Sequence, residues 1–249
     1  ITPSGSSAFI VTDAGLVKAG LAEKVTDVLD SAKIPYFLYD QVVANPTAEL
    51  IDRGAAKLKE TPDAVVVTLG GGSSMDAGKA IATLAKQEET AILDFCYCPG
   101  FDEEKKAIDY GSLLPKKFAS TAHKIIAIPT TSGTASETNG ASVITDSYGD
   151  IHQKVIFASD VAKASTIILD AEMTVGVPIY PTATCGMDVL THAIEAFTSR
   201  DQNPYGDAIA LGSIKLVAEN LAAVLKDPTN VNLREKMHVA SHMAGVAFN

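Results

Sequence analysis

The stretch Ala64-Val65-Val66-Val67-Thr68-Leu69 constrains the fold most. It is an almost wholly apolar, β-branched run that ends at Gly70-Gly71-Gly72-Ser73-Ser74. A strand without polar alternation is covered on both faces, the habit of parallel sheets buried under helices. The glycines turn the chain into a helix predicted over residues 75–86. The same rhythm recurs around it. Residues 8–12 read as a buried strand stopped at Asp13-Ala14-Gly15, followed by a helical pattern with Leu21, Val25, Val28 and Leu29 on one face. Residues 34–39 give a second strand, and Asn45-Pro46-Thr47 a turn that caps an amphipathic helix over 47–60. Residues 125–128 form a strand that delivers Pro129-Thr130-Thr131-Ser132-Gly133-Thr134, and residues 166–169 another buried strand. A hairpin is expected from 143–145 and 151–157 around Asp146-Ser147-Tyr148-Gly149, and residues 88–121 read as an irregular polar excursion. Strands alternating with helices predict the α/β class, with a Rossmann-like parallel sheet.

The texture changes at Val177-Pro178-Ile179-Tyr180-Pro181, after which the periodicity is helical over 184–199, 204–224 and 233–248. Two domains are expected: an α/β domain over 1–178, then the start of an all-helical domain, incomplete, over 179–249. A chain of 249 residues with 47% apolar content can bury cores of that size. Its net charge of −10 argues against a nucleic-acid surface, which needs a basic face. The apolar stretches read as shorter than the roughly 20 residues that cross a bilayer, so no membrane partner is expected. The chain opens on Ile1-Thr2-Pro3 without a leader or a Met, so the true start is expected to be missing or processed. Three cysteines cannot pair off fully, which suits a reducing cytoplasm. Cys96 and Cys98 are spaced for metal, but no second thiol pair completes a four-ligand site.

Three places carry chemistry. The glycine run follows a strand and opens a helix, where free N–H groups and a partial positive charge attract an anion. It is also what a tight strand-to-helix turn requires. It departs from G-x-G-x-x-G, and Lys79 lies too far on for a P-loop, which argues against an ATPase. Asp13 sits at the carboxyl end of a strand, where a carboxylate can accept from a ribose diol, or simply cap a helix. Asp188 and His192 lie one helical turn apart in Gly186-Met187-Asp188-Val189-Leu190-Thr191-His192, a natural metal-binding pair on an otherwise apolar face, or an ordinary helical hydrogen bond. His238 and His242 share that spacing but follow the charged run Arg234-Glu235-Lys236, and read as surface or interhelical residues. His123 and His152 stand alone.

Together, Val11-Thr12-Asp13, Asn45-Pro46-Thr47, residues 70–79 (GGGSSMDAGK), 129–137 (PTTSGTASE) and 186–197 (GMDVLTHAIEAF) resemble the iron-containing (group III) alcohol dehydrogenase family. The resemblance runs through nearly the whole chain. It implies hydride transfer between NAD(H) and a small alcohol or aldehyde, with Fe2+ (or Zn2+) in a cleft between the two domains. It puts Asp13 by the adenine ribose and Asn45 in the cofactor site. Gly71, Gly72 and Ser73 hold the pyrophosphate, and Asp76 points toward the nicotinamide end. Thr130, Thr131 and Thr134 cradle the cofactor, Lys154 reaches its ribose, and the segment from Thr174 to Pro178 passes over it. Asp188 and His192 are the first two metal ligands. The family takes two further His ligands from beyond a segment like residues 243–249, and also has strands before residue 8, so the chain is expected to be truncated at both ends. By the same comparison His238 and His242 are not ligands. A cytoplasmic homo-oligomer, dimer or larger, is implied. The alternatives are a polyol dehydrogenase, a dehydroquinate-synthase-like enzyme, and a catalytically incomplete NAD-binding piece of a larger assembly.

Overall fold

The computed structural model describes residues 7–97, 117, 119–147, 153–201 and 203–249. The chain runs through β1 (Ala8–Val11), α1 (Ala14–Lys18), α2 (Leu21–Ser31), β2 (Tyr36–Tyr39), α3 (Ala48–Leu58), β3 (Val65–Gly70) and α4 (Gly72–Leu84). It continues with β4 (Cys96–Tyr97), β5 (Ile125–Pro129), β6 (Ala141–Asp146), β7 (Gln153–Ala158), β8 (Thr166–Ile167), α5 (Ile179–Phe197), α6 (Pro204–Lys226) and α7 (Val231–Ala247). Cys98, His152, the Tyr148-Gly149 turn and most of the 88–121 excursion lie outside the described residues.

Five strands form a parallel sheet in the order β2-β1-β3-β5-β8. All six residues of β3 are buried, because helices cover both faces. On one face Phe9, Val11 and Val66 pack with Leu50, Ile51 and Leu58 of α3 and Ala77, Ile81 and Leu84 of α4. On the other, Ile10, Val67 and Leu69 meet Leu21, Val25 and Leu29 of α2. Val28 is 68% exposed, so the expected apolar face of α2 is narrower than the sequence suggested. Gly78 lets α4 lie against the sheet, since a Cβ there would overlap the Thr68 side chain. The strand order reverses between β1 and β3, so their carboxyl ends border a crevice, the usual ligand position in open α/β sheets. β8 is the edge strand. Ile168 and Leu169 beyond it are exposed, which corrects the reading of 166–169 as a buried strand.

β6 and β7 pair antiparallel as predicted, and β4 adds to β7, making a small second sheet. It is tied to the main body at Thr145, whose N–H donates to the Pro46 carbonyl at 2.8 Å. The Cys96 thiol in β4 donates to the Ile92 carbonyl, and burial pushes its pKa up to about 12, so it is no ready thiolate ligand. His123 is buried in front of β5, with Nδ1 2.8 Å from the Ala64 carbonyl oxygen.

The last three helices share a core of Val189, Ala193, Val217, Val224, Met237, Ala240 and Ala244. α5 begins at Ile179, five residues before the predicted start, because Pro178 is its N-cap and Pro181 falls in the first turn, where a missing N–H costs nothing. α6 alone among the described helices is long and apolar enough, by length and composition, to cross a membrane, contrary to the reading of short apolar stretches. It packs here against both α5 and α7 and carries Lys215 and Glu219 on its outer face. Arg234 of the charged run is buried, and so is His238 of α7, which leaves the interhelical and not the surface reading for that histidine. The Arg234 guanidinium donates to the Pro228 and Val177 carbonyls and to Thr182 Oγ1, each at 2.8 Å, clamping α7 to the peptide that enters α5.

Candidate active site

The crevice is built first by β3 and α4. Gly70 has φ +149°, and a Cβ there would strike Ser74, so the turn out of β3 needs glycine. Gly71 then takes the N-cap position of α4 without a side-chain cap, leaving the N–H groups of Gly72, Ser73 and Ser74 without partners inside the helix. A Cβ on Gly71 would come 3.2 Å from Thr131 Oγ1, and one on Gly72 would come 2.9 Å from Thr134 Cγ2. The glycines thus also admit the hydroxyl-rich loop after β5, which is anchored by the Thr130 N–H on the Gly70 carbonyl at 2.9 Å.

An open cleft of about 380 Å³ lies at this point. It brings together Asn45, Gly72, Ser73, Asp76, Thr134, Lys154, Asp188 and His192, eight of the residues singled out from sequence. Pro46, Ser136, Asn139, Ala141 and Val143 complete its walls, and sequence reasoning did not single these out. Ser136 could have been found within PTTSGTASE, whereas Asn139, Ala141 and Val143 carry no sequence signal. Asn45 adopts φ +55°, a left-handed conformation that Asn tolerates, and so turns the chain at the rim.

The remaining predicted residues stand around the cleft and do not line it. Asp13 follows β1 at the level where Gly70 ends β3, since Val11 pairs with Thr68. Its Oδ1 accepts from the Leu16 N–H at 3.0 Å, so it caps α1. Gly71 and Thr131 face each other beneath the rim, and Thr130 is buried behind it. Thr174 is buried and donates to the Ala171 carbonyl at 2.7 Å. Pro178 is exposed as the N-cap of α5. Neither Thr174 nor Pro178 reaches the cleft.

α5 supplies the opposite wall. Asp188 Oδ1 and His192 Nε2 are 3.7 Å apart, both side chains partly exposed to the cleft. His192 Nδ1 is buried with no hydrogen-bond partner among the described residues, and the ring edge meets Phe248 at 5.1 Å between centroids. The face continues to Glu195 and Ser199, which border a second, open cavity of about 820 Å³ beside His192. The expected apolar shield is therefore not on this face. Val189 and Ala193 turn the other way, into the helical core. No cluster of three or more metal-binding side chains occurs among the described residues.

Behind the loop, α7 presents His238 and His242. His238 Nδ1 is 3.1 Å from Ser132 Oγ, and His242 Nδ1 is 3.4 Å from Glu137 Oε1. Burial lowers the pKa of His238, as it does that of His123. Above the ordinary histidine value near 6.5 both are neutral in folded and unfolded chains. Below it the unfolded chain takes up protons that the fold resists, so stability falls as pH falls, by at most about 1.4 kcal/mol per pH unit for each group. Urea midpoints should therefore drop between pH 7.5 and 5.5. His123→Asn, which keeps a donor for the Ala64 carbonyl, should flatten part of that slope. An equal slope in the variant would remove His123 from the account.

The fold and cleft define an open α/β protein whose ligand crevice lies at the switch point of its sheet and is faced by a carboxylate–imidazole pair on a helical layer. The chain belongs to the iron-containing alcohol dehydrogenase family. Residues 1–171 match the family profile described as iron-containing alcohol dehydrogenase, and residues 182–249 match that of the family's C-terminal region. It is similar to the aldehyde-alcohol dehydrogenase of Streptococcus pneumoniae, with 37% identity over 96% of this chain and 26% of that protein. Similarity to alcohol dehydrogenase 4 of Saccharomyces cerevisiae is 35% identity over 97% of this chain and 58% of that protein. The structure resembles sulfoacetaldehyde reductase of Bifidobacterium kashiwanohense, solved in complex with NAD+, with a TM-score of 0.82 and 34% identity over 97% of this chain and 59% of that one. The chain thus spans between about a quarter and six tenths of the length of these relatives.

Proposed function

We propose that the protein is a metal-dependent alcohol dehydrogenase, or aldehyde reductase, that transfers a hydride between NAD(H) and a small alcohol or aldehyde. The observation that carries this reading is the single cleft that sets the open N-terminus of α4 opposite Asp188 and His192. The residues fit both absent groups. Asp188 and His192 offer a hard oxygen and an imidazole at i,i+4, with His192 Nε2 the ring nitrogen turned toward the carboxylate. A divalent cation supplies Lewis acidity toward an alcohol or carbonyl oxygen, while the nicotinamide carries the hydride. The donor pair suits iron or zinc.

The chain's own residues bind and orient. The Gly72, Ser73 and Ser74 N–H groups receive the cofactor's pyrophosphate, Asn45 and Thr134 bound it on either side, and Lys154 lies within reach of its ribose. Thr130, Thr131 and Gly71 support that turn from beneath. We place the change from nucleotide domain to helical domain at residue 178, next to the Arg234 clamp on Val177. A cytoplasmic setting and a homo-oligomeric state belong to the same reading. The test is NADH oxidation followed at 340 nm with a series of short aldehydes, on protein that carries the family's two further His ligands, with Fe2+ or Zn2+ supplied. Turnover that disappears on chelation is expected. A protein that binds NADH yet reduces no aldehyde with either metal would overturn the reading.

Asp13 sets the choice of dinucleotide, because a 2′-phosphate beside its carboxylate meets like charge. Asp13→Ser keeps an oxygen for the Leu16 N–H cap and removes the charge. Its NADPH-to-NADH ratio of kcat/KM should rise about tenfold or more, the effect of relieving one close like-charge contact. An unchanged ratio would place the ribose elsewhere.

A further inference from the structure

The β6 side of the cleft depends on a side chain that does not itself line the cleft. Lys79, in the middle of α4, is 1% exposed, and its Nζ is surrounded by oxygens. It donates to the Ser136 carbonyl at 2.8 Å, to Ser136 Oγ at 2.7 Å, to Asn139 Oδ1 at 3.1 Å and to the Ala141 carbonyl, and it pairs with Asp76 Oδ1 at 3.2 Å. Four of these partners, the two carbonyls, Asn139 Oδ1 and the Asp76 carboxylate, offer only lone pairs, and a neutral amine has too few N–H groups to satisfy the set, so the arrangement calls for the ammonium. Asp76 extends the network: Oδ1 accepts from Ser136 Oγ, and Oδ2 accepts from the Val143 N–H at 2.9 Å. All the loop atoms engaged belong to Ser136, Asn139, Ala141 and Val143, the residues that wall the cleft.

That loop needs holding. Ala135 has φ +52°, which an L-residue adopts only under constraint. The constraint comes from two sides. α7 closes on Ala135 through Gly245, where a Cβ would come within 2.5 Å of the Ala135 Cβ, and Ser241 Oγ donates to the Gly133 carbonyl at 3.3 Å. Lys79 takes the next residue, Ser136, from the opposite side.

We propose that Lys79 is a positioning residue for the nucleotide cleft: it fixes the wall at residues 136–143 relative to the first turn of α4 without touching the ligand. The proposal rests on the nucleotide reading of the cleft, and its test separates the two. Amide hydrogen exchange and NADH affinity would be measured on wild-type protein, Lys79→Met and Lys79→Gln, the last retaining two N–H donors. In Lys79→Met, exchange over residues 134–143 should rise tenfold or more while β1, β3 and α3 stay protected. The NADH Kd should weaken about tenfold, with Lys79→Gln between it and the wild type. Unchanged exchange over 134–143, an equal rise at every amide, failure of both variants to fold, or loosened exchange with unchanged Kd would each overturn the proposal. Localised loosening in a protein whose wild type binds no NADH would instead overturn the nucleotide reading and leave Lys79 as the residue that sets the wall.

Discussion

Replacing either member of the pair on α5 should abolish turnover and spare cofactor binding. Asp188→Asn preserves shape and removes the charge, while His192→Ala removes the imidazole and its contact with Phe248. A cation that has lost one of these donors is held weakly or in the wrong place, and several kcal/mol of transition-state stabilisation go with it. At about 1.4 kcal/mol per decade, kcat/KM for the aldehyde should fall by about 10³-fold or more. The open turn of α4 and the carboxylate at the end of β1 are untouched, so the NADH Kd should move less than about threefold. Steady-state kinetics beside an NADH fluorescence titration reads both quantities. Loss of NADH binding in step with turnover would mean that the pair supports the nucleotide or the fold and not a cation.

Gly72→Ala should do the reverse: bind poorly and fold well. A Cβ at this position comes 2.9 Å from Thr134 Cγ2, too close to keep. Thr134 is exposed, so it can swing away at little cost to the fold, but the space it swings through is the cleft. At the first turn of a helix, alanine costs the fold nothing intrinsic. Crowding of this kind costs roughly 1–3 kcal/mol, which falls on the ligand and weakens NADH binding about 5- to 150-fold. The melting temperature should stay within a few degrees of wild type. A variant that unfolds and binds equally badly would show that the glycine is there only to admit the threonine loop.

The parts of this structure that were legible are those where a local signal and the tertiary outcome agree. β3 and the glycine turn were readable because a strand buried on both faces has no polar alternation and the chain can leave it only through residues without side chains. The spacing of Asp188 and His192 could mean only one shared helix face, and the structure puts them 3.7 Å apart beside the glycine turn. Other parts were hidden by context. Pro181 looked like a boundary, although a proline in a first helical turn breaks no hydrogen bond. Ile168 and Leu169 looked like core because composition does not tell a central strand from an edge. Arg234 looked like part of a polar run, and His238 fitted a surface or an interhelical place alike, because their partners, the Val177 carbonyl and Ser132, lie far away in sequence. Lys79 was seen only as a failed P-loop lysine, though a lone cation three residues after Asp76 in an apolar helix was a signal of a buried pair. The cleft wall at Asn139–Val143 could not be read at all, because it is created by the fold bringing β6 over α4.

The most direct test of this account is an anomalous-difference map from crystals grown with NAD+ and Fe2+ or Zn2+, with data collected at the metal's absorption edge. The expected result is one peak in the cleft, within about 2.0–2.3 Å of an Asp188 oxygen and a His192 nitrogen and on the same side as the nicotinamide. A metal peak elsewhere, or a map in which Asp188 and His192 turn from the cleft with NAD+ in place, would contradict it.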